Sequence, residues 1–139
     1  MERKNRIYLF TAIISFAFAF LGFSYNTWRL EVTEDNNNIR MASFSVLNEL
    51  AEFEQIVFAA HYDQNTVEGS PRKGWVKVGL IADLAVFISP QVEQQARALK
   101  QVWGENWPNV ATQVDSVERV LTNVEQVRQA VKSQLRQLD

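Results

Sequence analysis

Two kinds of hydrophobic patterning run along this chain. From Ile7 to Tyr25 it reads IYLFTAIISFAFAFLGFSY, 19 residues without a charge. A helix rises about 1.5 Å per residue, and about 20 apolar residues cross the hydrocarbon core of a bilayer. This stretch is therefore just long enough to span a membrane. Beyond it the apolar positions become periodic. Neither Gly nor Pro occurs between Phe23 and Glu68, and a seven-residue series runs Tyr25, Val32, Ile39, Val46, Phe53, Ala60. Its companion seam is Arg29, Asn36, Ser43, Leu50, Val57. Together they form a helical stripe and predict one long helix from the span to about Ala60. The second seam is polar near the span and apolar beyond Val46. Asp35-Asn36-Asn37-Asn38 are poor helix formers and mark where a kink or break would fall.

The first interruption is His61–Gly74, HYDQNTVEGSPRKG. Ser70-Pro71 reads as an N-cap with Pro at the first helical position, so a second helix should run from Pro71 to about Ile88. Gly74 and Gly79 weaken it unless they permit close helix contact. Ser89-Pro90 repeats the start signal and predicts a third helix from Pro90 to about Trp107, ended by Pro108. A fourth should cover Asn109 to Leu138. Its seam is Val110, Val114, Val117, Leu121, Val124, Arg128, Val131, Leu135, Leu138, widened by Val120 and Val127. Four helices with short connections predict an all-α protein, an up-down-up-down four-helix bundle with long first and last helices.

If the long helices are antiparallel and Ala60 lies level with Val110, Arg128 falls beside Ala42 and Ser43, and Gln134 meets Asn36. These four polar residues, Asn36, Ser43, Arg128 and Gln134, would then form layers that set register at some cost in stability. On that reading Arg128→Leu should stabilise the domain.

Charge supplies an orientation. Before the span lie Arg3, Lys4 and Arg6 against Glu2; after it come Glu31, Glu34 and Asp35. Lys and Arg beside a span favour the cytoplasmic side. The expected layout is a cytoplasmic tail at 1–6, a transmembrane anchor at 7–25 and an extracytoplasmic domain at 26–139. The alternative is a cleaved signal peptide, with Ala17-Phe18-Ala19 as the cleavage triplet, but no polar region precedes that triplet. Residues 7–139 carry 11 basic and 15 acidic side chains, which argues against a nucleic-acid partner. The absence of Cys excludes disulfides, thiolate metal sites and a lipidated thiol.

The anchor-and-bundle layout over residues 7–139 resembles the helical periplasmic sensor modules of bacterial chemoreceptors and histidine kinases, except that those modules return through a second span. The stretches AAHYD (Ala59–Asp63) and GSPRKGW (Gly69–Trp75) resemble a group of uncharacterised small single-pass membrane proteins of Gram-negative bacteria. That resemblance implies a bacterial inner-membrane location and supplies no activity.

Candidate chemistry is sparse. Ser70, Arg72 and Lys73 precede a helix start and could bind a small anion or an acidic partner, or simply form a capped, solvated loop. His61 and Asp63 lack the further ligands a metal site needs, and His61 is expected to end the first helix. Glu49, Glu52 and Glu54 lack the Glu-x-x-His pairs of di-iron bundles. Trp75, Trp103 and Trp107 are expected in the core at the outer end of the bundle. No cofactor, metal or catalytic constellation is expected. The reading is a non-enzymatic, membrane-anchored protein whose domain binds another protein or itself. Its alternatives are a ligand-binding sensor module signalling through a separate membrane partner, and a periplasmic protein released by cleavage.

Overall fold

The computed structural model describes residues 2–138; Met1 and Asp139, the outer limits of the expected tail and domain, lie outside the described residues. It is all-helical: α1 (Glu2–His61), α2 (Pro71–Ala85), α3 (Pro90–Asn106), a 3-10 turn (Trp107–Asn109) and α4 (Val114–Gln137). The chain separates into two compact units, divided between Asn37 and Asn38. Helical hydrogen bonding nevertheless continues through Asp35–Asn38, so α1 is not interrupted at its poorest helix formers.

In the first unit every side chain from Ile7 to Tyr25 is exposed. Among the described residues this is the one helix long and apolar enough to cross a membrane. The Thr11 and Thr27 hydroxyls donate to the carbonyls of Ile7 and Phe23, both at 2.9 Å. Their polar groups are thus satisfied within the helix, as an apolar surrounding would require.

The second unit holds the core. The α1 stripe from Val46 through Leu50 and Phe53 to Val57 is fully buried, as the periodicity predicts. It is joined by Val78 and Ile81 of α2, Val92, Ala96 and Leu99 of α3, and a valine row on α4. Burying each such large side chain contributes about 1.5–3 kcal/mol. Phe53 meets Trp103 edge to face, with ring centroids 5.2 Å apart.

Three expectations change here. α2 ends at Ala85, not Ile88, because Phe87 and Ile88 turn back with i+3 bonds to Leu84 and Ala85. α4 begins at Val114, five residues later than expected. The Asn109 carbonyl accepts N–H bonds from Thr112 and Gln113, which closes a turn after Pro108 instead of starting a helix. The buried α4 row is Val117, Val120, Val124, Val127, Val131, so the two valines expected to widen the seam lie at its centre. Leu121 and Arg128 sit at its edge and are half-buried, and Val114 is exposed.

Neighbouring elements are tied by specific pairs. Arg40, Glu54 and His61, going up α1, meet Leu138, Arg128 and Val110, going down the C-terminal segment. Lys77 of α2 meets Glu49 and Glu52 of α1. At the start of α2, a Cβ on Gly74 would overlap the Trp103 indole, so α2 and α3 approach closely only because this residue is Gly.

Candidate functional site

The outer end of the second unit is a built loop. α1 stops at His61, and Gln64 takes the left-handed conformation at φ 49°, a geometry typical just past a helix C-terminus. Its side-chain amide donates to the His61 carbonyl at the end of α1, at 2.7 Å, and to the Ala111 carbonyl in the turn before α4, at 3.0 Å. Asn65 Oδ1 then accepts the Val67 and Glu68 N–H groups at 3.1 and 3.0 Å. Gly69 presses so closely on the Ala60 backbone that no side chain fits there. Gln64 and Asn65 therefore organise the loop. Their only sequence signal was a Gln-Asn pair just past a helix end, where an amide side chain can replace missing backbone partners.

Ser70 makes no side-chain cap at α2. The contrast with Ser89 is direct, since Ser89 Oγ accepts the Val92 N–H at 3.2 Å and caps α3 as expected. Lys73 Nζ lies 3.1 Å from Glu68 Oε2, with both side chains exposed. One of the two cations of the candidate anion site thus already has a carboxylate beside it. Arg72 is exposed on the first turn of α2.

The His61 Nδ1–H donates to the Val110 carbonyl at 2.8 Å and ties the end of α1 to the segment before α4. No group of three His, Asp or Glu side chains is placed to hold a metal ion among the described residues. Of the three clustered tryptophans only Trp103 is buried; Trp75 and Trp107 are 39% and 38% exposed, so the expectation of three core indoles is corrected. Trp75 is held outward against Gly104, within contact of where a Cβ would stand. The indole N–H of Trp103 has no hydrogen-bond partner within the protein. Beside that ring, a half-open cavity of about 240 Å³ is lined by Ala60, Gly69, Pro71, Trp107, Pro108 and Val110, among others.

The polar layers fall elsewhere than the assumed register placed them. Arg128 lies opposite Glu54, at 2.7 Å, and also meets Glu125 at 2.6 Å; it is not beside Ala42 and Ser43. The late start of α4 displaces the register. Val110 does approach the end of α1, but from the turn and not from a helix. By the Arg40–Leu138 and Glu54–Arg128 pairs, Gln134 is level with residues in the mid-forties of α1, not with Asn36. Ser43 is buried, its hydroxyl without a partner within the protein.

What the structure adds is a pair of ionic straps. Lys77 bridges Glu49, at 2.6 Å, and Glu52. The Glu49 bond, then the Glu52 bond, raises the Lys77 pKa above its ordinary value. Hydrogen bonds from Lys77, then Asn48, hold the half-buried Glu52 carboxyl below the usual carboxylate value. On the other flank, the bond to Glu54 raises Arg128 further. Gln129, then Arg128, lowers Glu125. The three carboxylates Glu49, Glu52 and Glu54 are each engaged by a base from another helix.

The described residues thus form an all-helical protein with, among them, one helix apolar and long enough to span a membrane. No family model, no curated protein and no solved structure matches the chain.

Proposed function

We propose that residues 7–25 anchor the chain in a bacterial inner membrane, with residues 1–6 in the cytoplasm. Residues 26–139 then form an extracytoplasmic, up-down-up-down four-helix bundle. Its work is non-enzymatic binding of another protein or of itself. The observation that carries this reading is the helix from Ile7 to Tyr25, whose large apolar side chains are exposed around its whole circumference. Such a surface calls for an apolar solvent. The stepwise pairing of α1 with the C-terminal segment, and of α2 with α1, supports the bundle. A reporter active only outside the cytoplasm, fused after Asp139, should be active and should stay with membranes through an alkaline carbonate wash. An inactive reporter overturns the orientation, and release into the wash favours cleavage.

The cavity beside Trp103 favours a second reading, a ligand-binding sensor module acting through a separate membrane partner. Its half-open, mainly apolar wall suits a small apolar or aromatic group. Indole or a similar probe that raises the melting temperature of the full chain in detergent would support it. The anion reading for Ser70, Arg72 and Lys73 makes a separate demand: phosphate or sulfate must stabilise the chain, and Arg72→Ala must abolish that effect.

A further inference from the structure

α1 carries a second seam that the core does not use. Met41, Phe44, Phe58 and Tyr62 are exposed by 69, 60, 40 and 66%. With Ala51, Asn48 and Gln55, also exposed, they fall at alternating spacings of three and four over the 22 residues Met41–Tyr62. At 100° per residue this row lies opposite the buried row of Val46, Leu50, Phe53 and Val57. None of its seven residues is charged.

We propose that this face of α1 is the self-association surface of the protein, pairing with the same face of a second copy as a parallel, in-register two-stranded coiled coil. The proposal rests on the interaction reading above and names the partner that reading leaves open. Three features select a second copy. The heptad pattern places Phe44, Ala51 and Phe58 at d, and Met41, Asn48, Gln55 and Tyr62 at a. A buried Asn at a specifies register between like strands. In a parallel pair, the flanking g and e positions then set Leu47 against Glu52 and Glu54 against Ala59. No like charges meet, and both carboxylates are already engaged by Lys77 and Arg128.

The area also suffices. Aromatic side chains offer about 150–250 Å² each, so the exposed parts of Phe44, Phe58 and Tyr62 provide roughly 250–400 Å² per copy. The other four seam residues bring two copies to roughly 1,000 Å², the threshold for a specific interface.

The chain contains no Cys, so an introduced one reports only on its own position. In membranes holding the full chain, mild oxidation should convert Ala51→Cys into a covalent dimer. Gln101→Cys, exposed on α3, should remain monomeric. Adding Phe44→Glu and Phe58→Glu should cut the Ala51→Cys dimer at least about tenfold while a cooperative thermal transition persists, because neither side chain belongs to the buried core. Equal cross-linking at Gln101→Cys, an unchanged yield in the double Glu variant, or an adduct of another mass overturns the proposal. Preferential joining of Met41→Cys to Tyr62→Cys in mixed membranes would mean antiparallel pairing and overturns it too. A carbonate wash on the same membranes separates the two claims. Release with cross-linking intact sinks only the anchor; retention without cross-linking sinks only the seam.

Discussion

Residues 7–25 and 39–60 are both apolar, both lie on α1, and meet opposite fates. In the first, large side chains occupy every side of the helix, and all are exposed. In the second, the stripe Val46, Leu50, Phe53, Val57 is fully buried and shares one core cluster with residues of α2, α3 and α4, while Met41, Phe44 and Phe58 stay exposed. An all-round apolar surface cannot be covered by one neighbouring helix, whereas a stripe about 100° wide can. On the proposed reading, the difference corresponds to two different solvents, lipid for the first region and the protein's own core for the second. Substitutions in the core should change folding and leave membrane retention alone; substitutions in the span should do the reverse.

Val117→Asp should give the largest effect. Val117 is buried in the α4 row, and an unpaired carboxylate there has no compensating bond, so a loss on the order of 4 kcal/mol is expected. Denaturant unfolding of the full chain in detergent checks it. Full retention in membranes with the unfolding transition abolished would sharpen the comparison.

Gly74→Ala and Gly79→Ala test helix approach on one helix. The first places a methyl group into the Trp103 ring, while the second meets nothing within 4 Å. Gly74→Ala should cost about 1–3 kcal/mol by overpacking. Gly79→Ala should gain up to about 1 kcal/mol from helix propensity.

Arg128→Leu should destabilise by about 1 kcal/mol, the reverse of what the sequence pattern implied, because Glu54 and Glu125 lose their partner. A double-mutant cycle with Glu54→Gln should show positive coupling, and a zero coupling energy would make the strap decorative. Smallest is the cap pair. Ser89→Ala should cost about 1 kcal/mol, and Ser70→Ala only a few tenths, since only Ser89 bonds the helix start. Equal shifts in thermal melts would contradict this.

Much of this was legible from pattern alone. Pro71 and Pro90 announced two helix starts, and the Val46–Val57 stripe announced its own burial, because both signals act over one or two turns. The start of α4 was not legible. Val110 and Val114 extend its apolar spacing backward, yet backbone bonds to Asn109 close a turn there. The error then propagated into register and put Arg128 beside the wrong residues. The candidate site was read less well than the fold. Ser-Pro is a generic cap signal, and the amide pair Gln64-Asn65 just past the end of α1 was a weak local sign that these residues order the loop. The outward α1 seam was hidden for a different reason. With two apolar rows on one helix, only tertiary packing decides which row is covered.

The most direct test of the two-solvent account places charge in the span. Ile13→Arg combined with Phe16→Arg adds two cations near its middle, each costing about 2.5–3.5 kcal/mol in a bilayer. The account predicts that the full-length double variant leaves the carbonate-resistant membrane fraction while the core keeps its cooperative thermal transition within about 2 °C. A variant that stays in the membrane fraction, or that loses the transition, would contradict it.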